Sequence, residues 1–306
     1  MRRVANTILV TAVFSLGSHA AGESVRIETN MGNIDVALYD ATPLTRDNFL
    51  LYIDEGAYDM SIVHRSVPGF VIQGGGYRQA QPGSGYLLEK IPTHEPVPNE
   101  ASLERSNVTG TIAMAKLEGD PDSATSQWFI NLSDNGGEPP DGLDYQNGGF
   151  TTFGDVVSGM DVAFAAEALP RWNFGGALSS TPMQESYDGT STPAMEEFML
   201  VYRVFRLTPG DADCDGDVDL DDLFTVRNNF SSPGTWDDGN FDHDAVVDLD
   251  DLFAVRNNFG HGTSASVPEP AALALMLSGL GVLARRRRGA LPSGLALAGF
   301  EAHGRV

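Results

Sequence analysis

His64-Arg65-Ser66-Val67-Pro68-Gly69-Phe70-Val71-Ile72-Gln73-Gly74-Gly75 is the stretch on which the reading of the fold turns. It joins a polar pair, a Pro-Gly turn, a short apolar run at 70–73 that reads as a strand, and a glycine pair. Working outward, three more blocks follow: Gly110-Thr111-Ile112-Ala113-Met114-Ala115, Ser123-Ala124-Thr125-Ser126-Gln127-Trp128-Phe129-Ile130-Asn131, and Phe153-Gly154-Asp155-Val156-Val157-Ser158-Gly159-Met160. Upstream, residues 25–29 and 34–39 alternate apolar and polar around Asn30-Met31-Gly32-Asn33, the pattern of a hairpin. Thr42-Pro43 opens a helix, with Thr42 as N-cap, an apolar face of Leu44, Phe49, Leu50 and Ile53, and Gly56 as its stop. Strand-like runs at 62–64, 70–73, 110–115, 127–132 and 153–157, a helix at 160–168 and a final strand at 198–207 complete the region. Many short strands with glycine-rich loops and two helices predict an antiparallel barrel. Residues 171–195 show no periodicity and are expected to form a long surface loop.

In this order and spacing the four blocks resemble a cyclophilin of the bacterial subtype, over about 180 residues. The resemblance implies a mainly β fold for residues 23–208, an eight-stranded antiparallel barrel capped by two helices. It also implies peptidyl-prolyl cis-trans isomerase (rotamase) activity on proline-containing peptides or proteins, with no cofactor for catalysis. The chemistry needs no nucleophile. An Xaa–Pro amide resists rotation by about 20 kcal/mol because its resonance must be lost. A guanidinium beside the amide nitrogen stabilises the lone pair that localises there in the twisted state. Arg65 is the candidate for that group, and Gln73 the residue that orients it and meets the substrate backbone. The family motif implies a proline pocket of Phe70, Val71, Phe129, Leu143 and Phe150, with backbone groups offered by Ala115 and Lys116. His64, adjacent to Arg65, falls on the opposite strand face and takes no role.

Four positions depart from the family pattern. Val71 stands where a pocket methionine is common. Trp128 replaces a phenylalanine that faces away from substrate. Gly142 aligns with the tryptophan of many eukaryotic members, which implies weak cyclosporin affinity. Phe150 replaces a histidine or tyrosine and removes a polar contact.

The chain has 306 residues and a formal net charge of -23, which excludes nucleic acid as its main partner. A single cysteine, Cys214, excludes an intramolecular disulfide. At the N-terminus, Arg2-Arg3, the apolar run 8–16 and Ser18-His19-Ala20 follow the order of a secretory signal peptide over residues 1–20. Beyond a small-residue linker, 263–267, comes Val267-Pro268-Glu269-Pro270, then apolar residues 271–284 and four arginines, 285–288. As a helix the apolar run spans roughly 21 Å, short of a bilayer core of about 30 Å. Residues 268–288 resemble a PEP-CTERM sorting signal. That implies an exosortase-type processing enzyme, membrane contact through this helix, and a Gram-negative-type bacterium whose periplasm, outer surface or extracellular matrix receives the protein. Residues 289–306 continue past the point where such tails usually stop.

Pro209-Gly210 marks a boundary, and residues 209–262 hold fourteen aspartates and no glutamate. Within them Asp215–Phe230 recurs almost residue for residue at 244–259. Asp211, Asp213, Asp215, Gly216, Asp217 and Asp222 occupy positions 1, 3, 5, 6, 7 and 12 of a Ca²⁺ loop, with Asp217 offering its carbonyl. The second loop places Asn240, Asp242, Asp244, Val246 and Asp251 likewise, with Ala245 in place of the turn glycine. A helix leaves each loop and none enters it. A duplicated loop-plus-helix resembles a dockerin, which implies structural Ca²⁺ and a cohesin-like partner. The whole chain therefore reads as an exported prolyl isomerase that assists folding. The rival reading is a non-catalytic peptide-binding or adhesion module displayed through the dockerin-like part.

Overall fold

The structure is a computed structural model that describes residues 23–81 and 87–262. The signal-peptide, linker, sorting-signal and tail expectations at 1–20, 263–267, 268–288 and 289–306 lie outside the described residues. The chain divides after Phe259, and every strand and helix described lies before that point.

The strands, in chain order, are β1 (Ser24–Thr29), β2 (Gly32–Leu38), β3 (Ser61–Ile62), β4 (Arg65–Val67), β5 (Val71–Gly74), β6 (Tyr77–Gln79), β7 (Leu88–Lys90), β8 (Thr111–Met114), β9 (Trp128–Asn131), β10 (Thr152–Ser158), β11 (Arg171–Trp172), β12 (Thr181–Pro182) and β13 (Leu200–Arg206). The helices are α1 (Pro43–Asp54), α2 (Met160–Ala168), α3 (Leu220–Asn229) and α4 (Leu249–Asn258). Eleven strands form one sheet in the order β4-β5-β9-β8-β10-β2-β1-β13-β3-β6-β7, and every pairing with a recorded register is antiparallel.

This corrects the expected count of eight. The segment 61–67 is interrupted at Val63-His64, so its halves, β3 and β4, pair with different neighbours: β3 with β13 and β6, β4 with β5. The segment 71–79 breaks likewise at Gly75-Gly76, and β7 is an extra strand paired to β6. Because β3 and β4 are separated by only two residues, the sheet curls back on itself.

Alternation assigns the two faces. Ile72, Ile130 and Ile112 stand in register across β5, β9 and β8 and join the main core with Phe49, Phe153 and Trp128. α1 and α2 close this core, through Phe49, Leu50 and Ile53 and through Val162, Ala163 and Ala166. Thr42 makes no side-chain cap to α1. The cap comes instead from Glu100, whose carboxylate accepts from the N–H groups of Leu44 (3.2 Å) and Thr45 (2.8 Å).

Residues 171–195 are more than a surface loop. They hold the β11–β12 pair and bury Met183, Tyr187 and Met195 against Ile62, Phe198 and Leu200. No strict alternation marks them because single side chains, not one face, are inserted.

Residues 209–262 have their own core: Val218 and Val226 from the first repeat, Val247 and Val255 from the second, and Trp236 and Phe241 between them. The repeated Phe224 and Phe253 are 42% and 41% exposed, so the valines rather than the phenylalanines carry the packing. Phe205 near the end of β13 and Leu207 just after it also pack into this core. Among the described residues, no helix is long and apolar enough to cross a membrane.

Candidate active site

Directly paired residues of a sheet share a face. Arg65 on β4 pairs with Gln73 on β5, Gln73 with Phe129 on β9, and Phe129 with Ala113 on β8. The predicted guanidinium, the predicted amide and a predicted pocket wall therefore form one row, on the face opposite the isoleucine core.

Arg65 donates from Nη1 to Gln73 Oε1 at 3.2 Å, and Gln73 Nε2 donates to Gln127 Oε1 at 2.9 Å. This fixes the Gln73 amide with its oxygen toward Arg65. Among the described residues no carboxylate pairs with Arg65. Partial burial alone draws its pKa down from the usual arginine value. A half-buried guanidinium with one amide partner keeps donors for another molecule, whereas an arginine placed for stability would be expected to meet an acid. His64 is buried against Tyr77 and pushed down to about 4, first by burial and then by Arg65, so it is neutral at physiological pH.

Beside this row lies an apolar cluster separate from the main core. It consists of Val71, Ala113, Phe129 and Leu143, with Phe70, Ala115 and Phe150 packed against them. Every predicted apolar pocket residue is in it. Phe150 meets Phe129 edge-on, ring centroids 5.8 Å apart. The Ala115 N–H donates to the Gln127 carbonyl at 2.9 Å and so is not available to a peptide. Lys116 does not join the cluster. Its ammonium reaches across to the carbonyls of Asn147 and Gly149.

Three features were missed by sequence reasoning. Ala113 lines the cluster, and its position two residues before Ala115 was the available signal. Gln127 fixes Gln73, and only strand pairing reveals it. A polar network holds the rim: Asn131 Nδ2 donates to Asn107 Oδ1 (3.3 Å), Asn107 Nδ2 to the Phe150 carbonyl (3.0 Å), and Asn135 Nδ2 to the Phe70 carbonyl (2.8 Å). The Leu143 N–H donates to the Asn135 carbonyl at 2.8 Å. Gly142 has φ +95°, and a Cβ there would lie 2.1 Å from the Gly136 carbonyl oxygen, so this turn admits no larger residue. A cavity of about 150 Å³ lies elsewhere, between residues 203–208 and 211–216. Its arginines, Arg203 and Arg206, are already paired with Glu28, Asp54 and Glu23, so it offers no free group for amide chemistry.

Residues 24–179 match the family model described as cyclophilin type peptidyl-prolyl cis-trans isomerase/CLD. The chain belongs to the cyclophilin family. Among its relatives, the peptidyl-prolyl cis-trans isomerase of Acinetobacter baylyi is 37% identical over 177 residues, covering 57% of this chain and 87% of that protein. The peptidyl-prolyl cis-trans isomerase A of Dickeya dadantii is 39% identical over 171 residues, covering 55% and 84%. The peptidyl-prolyl cis-trans isomerase B of Escherichia coli is 42% identical over 139 residues, covering 45% and 80%. The enzyme class expected from the sequence, a peptidyl-prolyl cis-trans isomerase, stands. The cyclophilin match ends well short of the aspartate-rich repeats.

In those repeats, carboxylate oxygens of Asp211, Asp213 and Asp215 lie within 4.8 Å of one another, as do those of Asp217, Asp219 and Asp222. Asp211 Oδ1 and Asn240 Oδ1, at the first position of each loop, are buried without a hydrogen-bond partner. An orphaned buried oxygen is costly, and a hard cation would satisfy both. Burial pushes Asp211 up to about 6, and the facing Asp222, Asp215 and Asp213 add to it. Asp251 is raised to about 6 for the same reasons. Asp222 and Asp251 also tie each loop together. Asp222 accepts from the N–H groups of Ala212 (2.7 Å) and Asp219 (2.8 Å), and Asp251 from those of Phe241 (2.6 Å) and Asp248 (2.9 Å). In both loops the aspartates at the third and fifth positions, Asp213 and Asp215, Asp242 and Asp244, accept from the N–H groups two residues on; the second loop, with Asn240 at its first position, forms no carboxylate triad among the described residues.

Proposed function

We propose that this chain isomerises Xaa–Pro bonds of exported proteins and thereby assists their folding. The observation that carries the reading is Arg65: a half-buried guanidinium with no acid partner among the described residues, in register with Gln73 and flanked by an apolar cluster. The cluster of Val71, Ala113, Phe129 and Leu143 grips the ring, the rim of Phe70 and Phe150 bounds it, and the amide nitrogen comes to lie by Arg65. Gln73 keeps the guanidinium aimed there. As the amide twists, its nitrogen lone pair localises, and Arg65 donates to it more strongly than to the planar amide. No proton transfer and no metal takes part in this step. A protease-coupled assay on a Xaa-Pro peptide tests it. Isomerisation well above the uncatalysed rate is expected, and a rate equal to background contradicts it. The export part rests on the ordered basic, apolar and small-residue pattern of residues 1–20 and the Pro-Glu-Pro signal at 268–288.

We infer further that residues 209–262 bind Ca²⁺ in a dockerin-like manner. The two orphaned oxygens, Asp211 Oδ1 and Asn240 Oδ1, support this, as does the duplicated loop and helix. Asp213, Asp215, Asp222 and the Asp217 carbonyl would complete the first site; Asp242, Asp244, Asp251 and the Val246 carbonyl the second. Calorimetric titration of the full chain is expected to show Ca²⁺ binding that Asp211→Ala weakens. No heat in the wild type contradicts the metal reading and leaves the isomerase reading untouched.

A further inference from the structure

Lys116 has a place in this site that its backbone does not explain. It follows Ala115 of the apolar cluster, and its side chain crosses to the loop that carries Leu143 and Phe150. Nζ donates to the carbonyls of Asn147 (2.9 Å) and Gly149 (2.5 Å) and stands 4.8 Å from the centre of the Phe150 ring. That loop closes on itself through the Phe150 N–H to the Leu143 carbonyl (2.7 Å) and the Gly149 N–H to the Gln146 carbonyl (2.9 Å), but the carbonyls of Asn147 and Gly149 are met by side chains. Gly142, Asn147, Gly148 and Gly149 all have positive φ, and its glycines give up the most conformational freedom on ordering. Asn99 also holds the loop, donating to the carbonyls of Gly148 (2.8 Å) and Gly149 (3.1 Å), the latter shared with Lys116.

We propose that the Lys116 ammonium is a positioning group for the proline pocket, clamping the 142–150 loop so that Phe150 stays edge-on against Phe129. The proposal rests on the isomerase reading. It assigns the side chain a task distinct from any backbone contact with substrate. The ammonium attracts the Phe150 ring face and strengthens both hydrogen bonds by its charge. Partial burial lowers Lys116 to about 8, against the opposing pull of Asp122 and Asp120, which face it from the following loop. The charge is therefore complete at pH 6.5 and mostly lost by pH 9.5. The neutral amine still donates, but without the ring attraction or charge assistance.

The test is steady-state kinetics of the full chain on a Xaa-Pro peptide, for the wild type, Lys116→Met and Lys116→Arg, from pH 6.5 to 9.5. Lys116→Met is expected to raise KM roughly fivefold, with kcat changed less than twofold, since the clamp shapes the pocket and not the Arg65 contact. The wild-type KM is expected to rise as pH passes through about 8. Lys116→Arg, which stays charged, keeps the low KM throughout, and Lys116→Met shows no pH dependence over this range. An unchanged KM in Lys116→Met, a loss in kcat alone, or a wild-type profile shared by both variants overturns the proposal. The wild-type and Lys116→Arg profiles decide it even where Lys116→Met folds poorly. If no variant, the wild type included, isomerises the peptide, it is the isomerase reading that fails.

Discussion

At the residue scale, Arg65 is held among the described residues by one neutral side chain, Gln73, where a structural arginine would have an acid. Arg26 supplies the contrast within the same molecule. It is buried, paired at 2.7 and 2.9 Å with Asp35, and reaches Asp237 at 2.7 Å. Buried charge is tolerated when matched in this way, whereas no carboxylate among the described residues matches Arg65 beside its apolar cluster. The glycine pair behind it has a steric cause. A Cβ on Gly74 would lie 2.5 Å from Trp128 Cζ2, inside the main core. Gly74→Ala is expected to cost about 1–3 kcal/mol by overpacking, read as a lower melting temperature. Adding Trp128→Phe should make the pair cost less than the sum of the single changes. Full additivity would show that the ring is not what excludes the Cβ.

At the scale of elements, the row of Arg65, Gln73 and Phe129 was legible because it lies in contiguous blocks where alternation separates Val71 and Phe129 from Ile72 and Ile130, whereas Leu143 and Phe150 lie outside those blocks and came only from the family resemblance. The helices were legible too: α2 spans the expected 160–168, and α3 and α4 leave their loops as the repeat predicted. What alternation cannot give is which strand lies beside which. Gln127, Ala113 and the Asn107–Asn131–Asn135 network become visible only once β9 is placed between β5 and β8. The α1 cap was misread for a related reason. Thr42 is the local candidate, yet the acceptor is Glu100, distant in sequence. The strand count failed because two extended segments change partners midway, and composition does not record that. In α3 and α4 the fold buries the smaller Val226 and Val255 and leaves Phe224 and Phe253 beneath Arg227 and Arg256, a choice that residue type alone does not reveal.

At the scale of the whole molecule, the aspartate-rich repeats do not hang from a loose tether. Arg26 Nη1 leaves the sheet to meet Asp237, Ser24 Oγ lies 3.0 Å from His243 Nε2, and Phe205 and Leu207 enter the repeat core. The aspartate-rich segment is thus stapled to β1 and β13, on strands distant in sheet order from β4 and β5. Both cores are expected to unfold in one calorimetric transition in the presence of Ca²⁺. Asp237→Ala, which strands one arm of a buried guanidinium, should lower that transition by about 1 kcal/mol of stability, the partner's exposure limiting the effect. Two separate wild-type transitions, or no effect of Asp237→Ala, would contradict the stapling.

The central claim is that rotation about the Xaa–Pro amide is driven by one guanidinium aimed at its nitrogen. The direct test is kcat/KM of the full chain and its Arg65→Ala variant in a protease-coupled Xaa-Pro assay, with circular dichroism to confirm an unchanged fold. The account predicts that Arg65→Ala loses on the order of 10²–10³ in kcat/KM, while a folded Arg65→Ala variant with wild-type kcat/KM would contradict it.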